Sequence, residues 1–249
     1  MNEQDLFAKM AERGIQTTPE QQQNIKRRIN EVLNYEPKVG VFGKTGVGKS
    51  SLCNAMFGQD VCPISDVEAC TRNPQEVLLQ MGGRKITLLD VPGAGESEER
   101  DREYAELYSK LLPELDVVLW VIKADDRALS SDEAFFKQIV KPHVEQGKVF
   151  FFVLNQCDKI EPFREWDEHA HEPGAKQLQN IQRKVTDVAS HFAVPESKVI
   201  PVSACEKYNL VRLLDEMVFA MPKDKKITIV NSAARENVSA QAQEDAKKG

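Results

Sequence analysis

Residues Gly43 to Ser50 read GKTGVGKS, a match to G-x-x-x-x-G-K-S/T placed directly after an apolar run, KVGVF, and directly before a helical one, SSLCNAMF. The match constrains both the local backbone and what it can hold. Glycines at Gly43, Gly46 and Gly48 let the chain curl until several N–H groups aim at one phosphate chain, and the helix that follows adds its positive end. Lys49 is expected to bridge the β- and γ-phosphates, and the Ser50 hydroxyl to hold Mg2+. Lys44, Thr45, Val47 and Ser51 complete the expected nucleotide cradle. The loop by itself does not separate ATP from GTP.

Around this loop, strand-like runs alternate with helical patterns: KVGVF, EVLLQ, KITLLDV, DVVLWVIKA, KVFFFVLN and KVIPVSA. Most are apolar at consecutive positions, the mark of strands covered on both faces of a parallel sheet flanked by helices. EVLLQ and KITLLD are joined only by Met81-Gly82-Gly83-Arg84, too short a link for a crossover, so that pair is expected to be an antiparallel hairpin. The expected architecture is α/β, a mixed but mostly parallel sheet of about six strands with helices on both faces. Thr18-Pro19-Glu20-Gln21 carries helix-start signals, Ser130-Ser131-Asp132-Glu133 reads as a capping box, and further helices are expected over about 174–192 and 209–221. The organisation expected is an N-terminal helical segment over 1–36, a main domain over 37–222 and a helical or disordered tail over 223–249.

With 41% hydrophobic and 29% charged residues the chain reads as an ordinary globular protein. No run approaches the apolar length of about 18 residues that a membrane span needs. The N-terminus, MNEQDLF, lacks the basic and apolar regions of a secretory signal, so a cytoplasmic location is expected. The five cysteines are odd in number and scattered, which suggests reduced thiols. A net charge of −6 argues against broad electrostatic capture of nucleic acid or anionic lipid, so any RNA contact must be local.

Two further stretches lie where a phosphate loop needs partners. KITLLDVPG ends a strand at Asp90, whose carboxylate can hold the metal through water, while the Gly93 N–H can reach a γ-phosphate. Asn155-Gln156-Cys157-Asp158 follows the strand KVFFFVL directly. A carboxylate at Asp158, in the plane of a base, accepts two hydrogen bonds from guanine that adenine cannot offer. An unpaired buried carboxylate is costly, so discrimination of about 10^4 is expected. Ser203-Ala204-Cys205, closing the next strand, supplies a backbone N–H toward the guanine carbonyl. The ligands expected are therefore GTP and GDP, with Mg2+ as cofactor.

GKTGVGKSS, Thr71, DVPG, NQCD and SAC, in that order over residues 38–220, resemble the translation-factor-related P-loop GTPases, most of all their Era, TrmE and septin-like branch. The string VLNQCDKIEPFREWD is similar to a bacterial set of ribosome-binding GTPases. The resemblance implies a P-loop NTPase G domain, a threonine (Thr71) that holds Mg2+ and senses the γ-phosphate, and a ribosomal or RNA partner. Three departures stand out. Ala94 occupies the place where many relatives of Ras carry a water-orienting Gln, which implies slow intrinsic hydrolysis, near or below about 10^-4 to 10^-2 per second. Thr45-Gly46 replaces the Pro-Asn of Era-like loops, so the Asn used in potassium-assisted catalysis is missing. Gln156 replaces the lysine of N-K-x-D; its methylenes can still cover the base while its charge is lost.

No side chain is an evident general base, so Lys49, Thr71, Gly93 and the loop amides are expected to act by positioning and charge neutralisation. Arg72, Arg100, Arg102 and Arg127 are internal candidates for a catalytic arginine. Three readings stay open on the sequence: a slow GTP-hydrolysing switch, a GTP-dependent assembly module that self-associates through the G domain with incidental turnover, and a P-loop ATPase or kinase. His169, His171 and Cys157 match no standard zinc spacing. Trp120 is expected in the core, Trp166 to cap a loop or mark a contact surface.

Overall fold

A computed structural model of the chain describes residues 18–33, 35, 37–57, 75–81, 84–90, 98–222, 226, 229–230 and 233–247. Helix α1 (Pro19–Leu33) opens with a reciprocal capping box: Thr18 N donates to Gln21 Oε1 at 2.9 Å and Gln21 N to Thr18 Oγ1 at 3.2 Å. Six strands follow, β1 (Lys38–Phe42), β2 (Gln75–Met81), β3 (Arg84–Asp90), β4 (Val117–Lys123), β5 (Val149–Asn155) and β6 (Val199–Pro201). They form one sheet in the order β2-β3-β1-β4-β5-β6. Only β2 and β3 pair antiparallel, as the short link between them requires. The remaining pairings, β3 with β1, β1 with β4, β4 with β5 and β5 with β6, are all parallel.

Side chains alternate across these strands and feed two separate cores. Val39, Val41, Leu119, Val121, Phe151 and Val153 face helices α2 (Lys49–Phe57) and α7 (Leu210–Ala220). Phe42, Val118, Trp120, Phe150 and Phe152 face the other way, toward α3 (Glu98–Leu111), α6 (Ala175–Phe192) and the segment between β4 and β5. Burial on both faces is why these strands read as continuous apolar runs. Each fully buried Phe or Leu contributes roughly 1.5–3 kcal/mol. Trp120 sits in the second core, fully buried, 5.8 Å from the Phe135 ring.

One helix start differs from expectation. Helix α4 (Ser130–Phe135) begins at Ser130 with Leu129 in the cap position and no side-chain cap bond, then continues through a π-helical turn (Phe136–Val140) into α5 (Lys141–Glu145). Glu133, the far member of the expected capping box, pairs instead with Lys137 one turn on and with His191 of α6, while Asp132 is drawn inward to Lys44 and Trp120.

Past Met221 the described tail folds back. Ile229, Ala233 and Ala242 join the first core, a 3-10 turn spans Arg235–Asn237, and α8 (Ala240–Lys247) packs on α7. No helix among the described residues is long and apolar enough to cross a membrane.

Candidate functional site

The site lies at the carboxyl ends of β1, β3, β4, β5 and β6, where open α/β sheets place their ligands. β1 delivers the chain into residues 43–48, and α2 begins at Lys49. Gly43 (φ 137°) and Gly48 (φ 87°) are both in backbone conformations that L side chains rarely adopt. A Cβ on Gly43 would lie 2.3 Å from the Val121 carbonyl oxygen, and one on Gly48 would lie 2.5 Å from Asn155 Nδ2. The loop therefore rests on the ends of β4 and β5, closer than any side chain would allow. Thr45 and Gly46 are exposed at its tip, Val47 is buried beneath it, and Ser50 and Ser51 are half-buried in the first turn of α2.

Two lysines of the loop point in different directions. Lys49 Nζ curls inward and donates to the Gly43 carbonyl at 2.9 Å and the Lys44 carbonyl at 3.2 Å, so its ammonium sits over the loop. Lys44, expected in the cradle, sends its side chain away to Asp132 (2.6 Å), Asp126 (3.5 Å) and the Ala128 carbonyl. Asp132 is buried and also accepts from Trp120 Nε1 at 3.2 Å. Burial raises the Asp132 carboxyl above its ordinary range, more strongly than Lys44 and Trp120 lower it. This anchor tying the phosphate loop to β4 and α4 was not legible in the sequence, because Ser-Ser-Asp-Glu reads as a local cap.

At the other end, Asn155 acts as a clasp. Buried at the end of β5, it donates from Nδ2 to the Val47 carbonyl (2.9 Å) and accepts at Oδ1 from Ala204 N (3.1 Å). One side chain thus joins the phosphate loop, β5 and the 203–205 loop. Gln156 adopts a left-handed conformation (φ 64°) and lays its amide on the loop tip, Nε2 to the Gly46 carbonyl at 3.2 Å. Asp158 follows in a 3-10 turn (Cys157–Lys159), half-buried, and no described protein group donates to its carboxylate. Ser203 is buried and its Oγ accepts from Glu206 N at 3.2 Å; Ala204 is buried and Cys205 exposed. Cys157 is packed beneath the turn, where burial pushes its thiol up.

Asp158 also lines a cleft of about 530 Å3 with Lys159, Phe163, Trp166, Glu168 and Glu206. Its outer wall is the stretch after Asp158, bridged between Asp167 and Glu172 and held to the 203–208 loop by Trp166 against Tyr208 (centroids 5.5 Å apart) and by His171 Nδ1 2.8 Å from Glu206 Oε2. Trp166 thus braces this wall. His169, His171 and Cys157 do not converge, and no three His, Cys, Asp or Glu side chains gather into a metal cluster among the described residues.

Thr71, Gly93, Ala94 and Arg72 lie outside the described residues. Asp90 is described by its backbone, at the end of β3 in register with Val41, one residue short of β1's end. Arg100 and Arg102 are likewise placed only as backbone on α3, and Arg127 is exposed beside the Lys44 anchor. Ser50 at the start of α2 and Asp90 at the end of β3 are hard oxygen donors on adjacent elements. That donor set suits Mg2+, which takes one or two protein oxygens and leaves the rest of its sphere to phosphate and water.

Comparison with known proteins gives the same picture. The 50S ribosome-binding GTPase model matches residues 38–156. Uncharacterized protein YkfA of Escherichia coli K12 is 46% identical over 209 residues, 84% of this chain and 70% of that protein. GTPase Der of Leptospira borgpetersenii is 29% identical over 193 residues, 73% of this chain and 35% of Der. Among solved structures, Aquifex aeolicus Era bound to GDP·AlF4− has a TM-score of 0.57 at 27% identity, covering 74% of this chain and 56% of that one. Era in complex with MgGDPNP and nucleotides 1506–1542 of 16S ribosomal RNA has a TM-score of 0.58 at 26% identity, covering 75% and 57%. The chain spans little more than half of either Era chain.

Proposed function

Because the chain belongs to the 50S ribosome-binding GTPase family, we propose that it is a cytoplasmic switch that binds GTP and GDP with Mg2+ and hydrolyses GTP slowly. The observation that carries this reading is the Asn155 clasp. It fixes the distance between a carboxylate suited to guanine, Asp158, and an ammonium suited to phosphate, Lys49, by bonding the phosphate loop and the 203–205 loop from one buried residue. A nucleotide lying between those ends meets Lys49, Ser50 and Ser51 at its phosphates and Asp158 with the Ala204 and Cys205 backbone at its base.

In this reading Lys49 leaves the Gly43 and Lys44 carbonyls for the β- and γ-phosphates, where its charge offsets that developing on the transferred group. Ser50, Asp90 and Thr71 are the residues proposed to hold Mg2+, which when bound neutralises phosphate charge. Thr71 and the Gly93 N–H sense the γ-phosphate. Ala94 offers no group to orient water, which supports turnover near or below about 10^-4 to 10^-2 per second without a partner. The family description supports a ribosomal partner, and pelleting with ribosomal subunits in GTP but not GDP would be its signature.

The reading is tested by calorimetric titration with GTP, GDP and ATP, followed by single-turnover phosphate release monitored alongside self-association. Guanine-selective binding with slow release supports it. Preferential ATP binding would overturn the base assignment, and a release rate equal to that of GTP in buffer would leave a binding module that does not hydrolyse.

A further inference from the structure

The chain lacks the lysine of N-K-x-D, yet a lysine charge is present at that place from another position. We propose that Lys159 is a positioning residue of the base site, acting through Gln156 to hold the tip of the phosphate loop closed over the nucleotide; this rests on the nucleotide-binding reading above.

The geometry is a relay of two bonds. Gln156 emerges from β5 in a left-handed conformation, and Lys159 N closes the 3-10 turn on the Gln156 carbonyl at 3.1 Å. That turn brings Lys159 Nζ to 3.0 Å from Gln156 Oε1, while Gln156 Nε2 donates to the Gly46 carbonyl at 3.2 Å. An amide has one acceptor end and one donor end, and the two exchange by rotation about the last side-chain bond. A cation at Oε1 fixes which way round it sits. Turned over, the amide would set NH2 against ammonium and oxygen against the Gly46 carbonyl, two repulsive contacts in place of two bonds. A carbonyl that accepts from a cation also polarises its own NH2, strengthening the bond onward to Gly46.

The position of Gly46 explains why this bond bears on the ligand. Gly46 (φ 82°) is the exposed tip of the loop, with nothing within 4 Å of where its Cβ would be, so Gln156 is its one described side-chain tether. On the opposite side Lys159 lines the same cleft as Asp158, placing a positive charge beside the carboxylate that reads the base. A lysine at position 156 would supply tether and charge together. Here Gln156 supplies the tether and Lys159 the charge.

The test is the dissociation rate of mant-GDP from the full chain carrying Lys159→Met, Lys159→Arg, Gln156→Lys and the double change Gln156→Lys with Lys159→Met. Lys159→Met should release mant-GDP about 3- to 10-fold faster, the size expected for loss of one exposed charged hydrogen bond, and Lys159→Arg should restore most of the loss. In the Gln156→Lys background, where an ammonium can reach Gly46 directly, Lys159→Met should have no effect. Lys159 is exposed, so unchanged thermal unfolding of the ligand-free variants is expected. A rate for Lys159→Met equal to wild type, or the same acceleration in the Gln156→Lys background, overturns the relay. Failure of the wild-type chain to hold mant-GDP at all would instead sink the nucleotide-binding reading beneath it.

Discussion

At the residue scale the site is organised by buried amides more than by charges. Asn155 looks, in sequence, like one letter of a base-reading motif, but its two ends are spent on protein: Val47 on one side and Ala204 on the other. Replacing it by Ala removes both bonds and leaves a carbonyl and an N–H unpaired in a buried place, which should cost about 2–4 kcal/mol of folding stability. Urea unfolding of Asn155→Ala measures that loss. The same variant should bind GDP far more weakly than its stability loss alone explains, because the phosphate and base ends are no longer held in register; equal GDP affinity would contradict the clasp. Asp132 makes a prediction of a different kind. Its folded carboxyl sits above the ordinary value because burial outweighs the help from Lys44, so the folded state binds its proton more tightly than the unfolded one. Stability contributed by this group is present at low pH and is lost as pH rises from the unfolded value through the raised folded one. Against an Asp132→Asn variant, which has no such proton, wild-type stability should decline across that window and run parallel above it, as read from denaturant midpoints at successive pH values.

At the scale of elements, the phosphate-loop helix α2 is short, and its positive end matters for the ligand, so what holds its far end matters too. Its last turn has no basic residue to meet the orphan carbonyls. The tail supplies the donors: Asn237 Nδ2 bonds the carbonyls of Ala55 (2.9 Å) and Met56 (3.1 Å), and Ala234 N bonds Met56 again at 3.1 Å. Asn237→Ala should therefore lower the urea midpoint by an amount equivalent to about 1–3 kcal/mol, although it lies 181 residues from Met56 in sequence. A loss within a few tenths of a kcal/mol would mean that water replaces the amide freely. The contrast with α1 marks what a sequence can disclose. Its cap at Thr18 and Gln21 is local, and pattern alone reaches it. The strands were legible because burial on both faces leaves unbroken apolar runs, and the β2–β3 hairpin because its link is too short for anything else. Asn237, Asp132 and Lys159 were not legible, since each partner is fixed by the tertiary fold or by a turn whose left-handed start, Gln156, carries no glycine to announce it.

At the scale of the whole molecule, the carboxyl end of the sheet collects the described elements proposed to touch a nucleotide, while the two cores on its faces tie those elements to the tail on one side and to α3 and α6 on the other. Ligand binding should then register globally, since whatever binds only the folded chain stabilises it by RT ln(1 + [L]/Kd). At GDP one hundredfold above its dissociation constant the gain is about 2.7 kcal/mol. For a chain of this length that corresponds to a rise of roughly 5–10 °C in the unfolding midpoint. ATP at the same concentration should give almost none of it, because adenine leaves the Asp158 carboxylate without its two donors. A scan with GDP, GTP and ATP in Mg2+ buffer therefore reads base selection from the stability of the entire fold. Equal shifts from ATP and GDP would place the recognition in the phosphate loop alone and remove Asp158 from it. A guanine-specific shift that vanishes in Asp158→Ala, with the ligand-free midpoint unchanged, would tie selection to that one carboxylate.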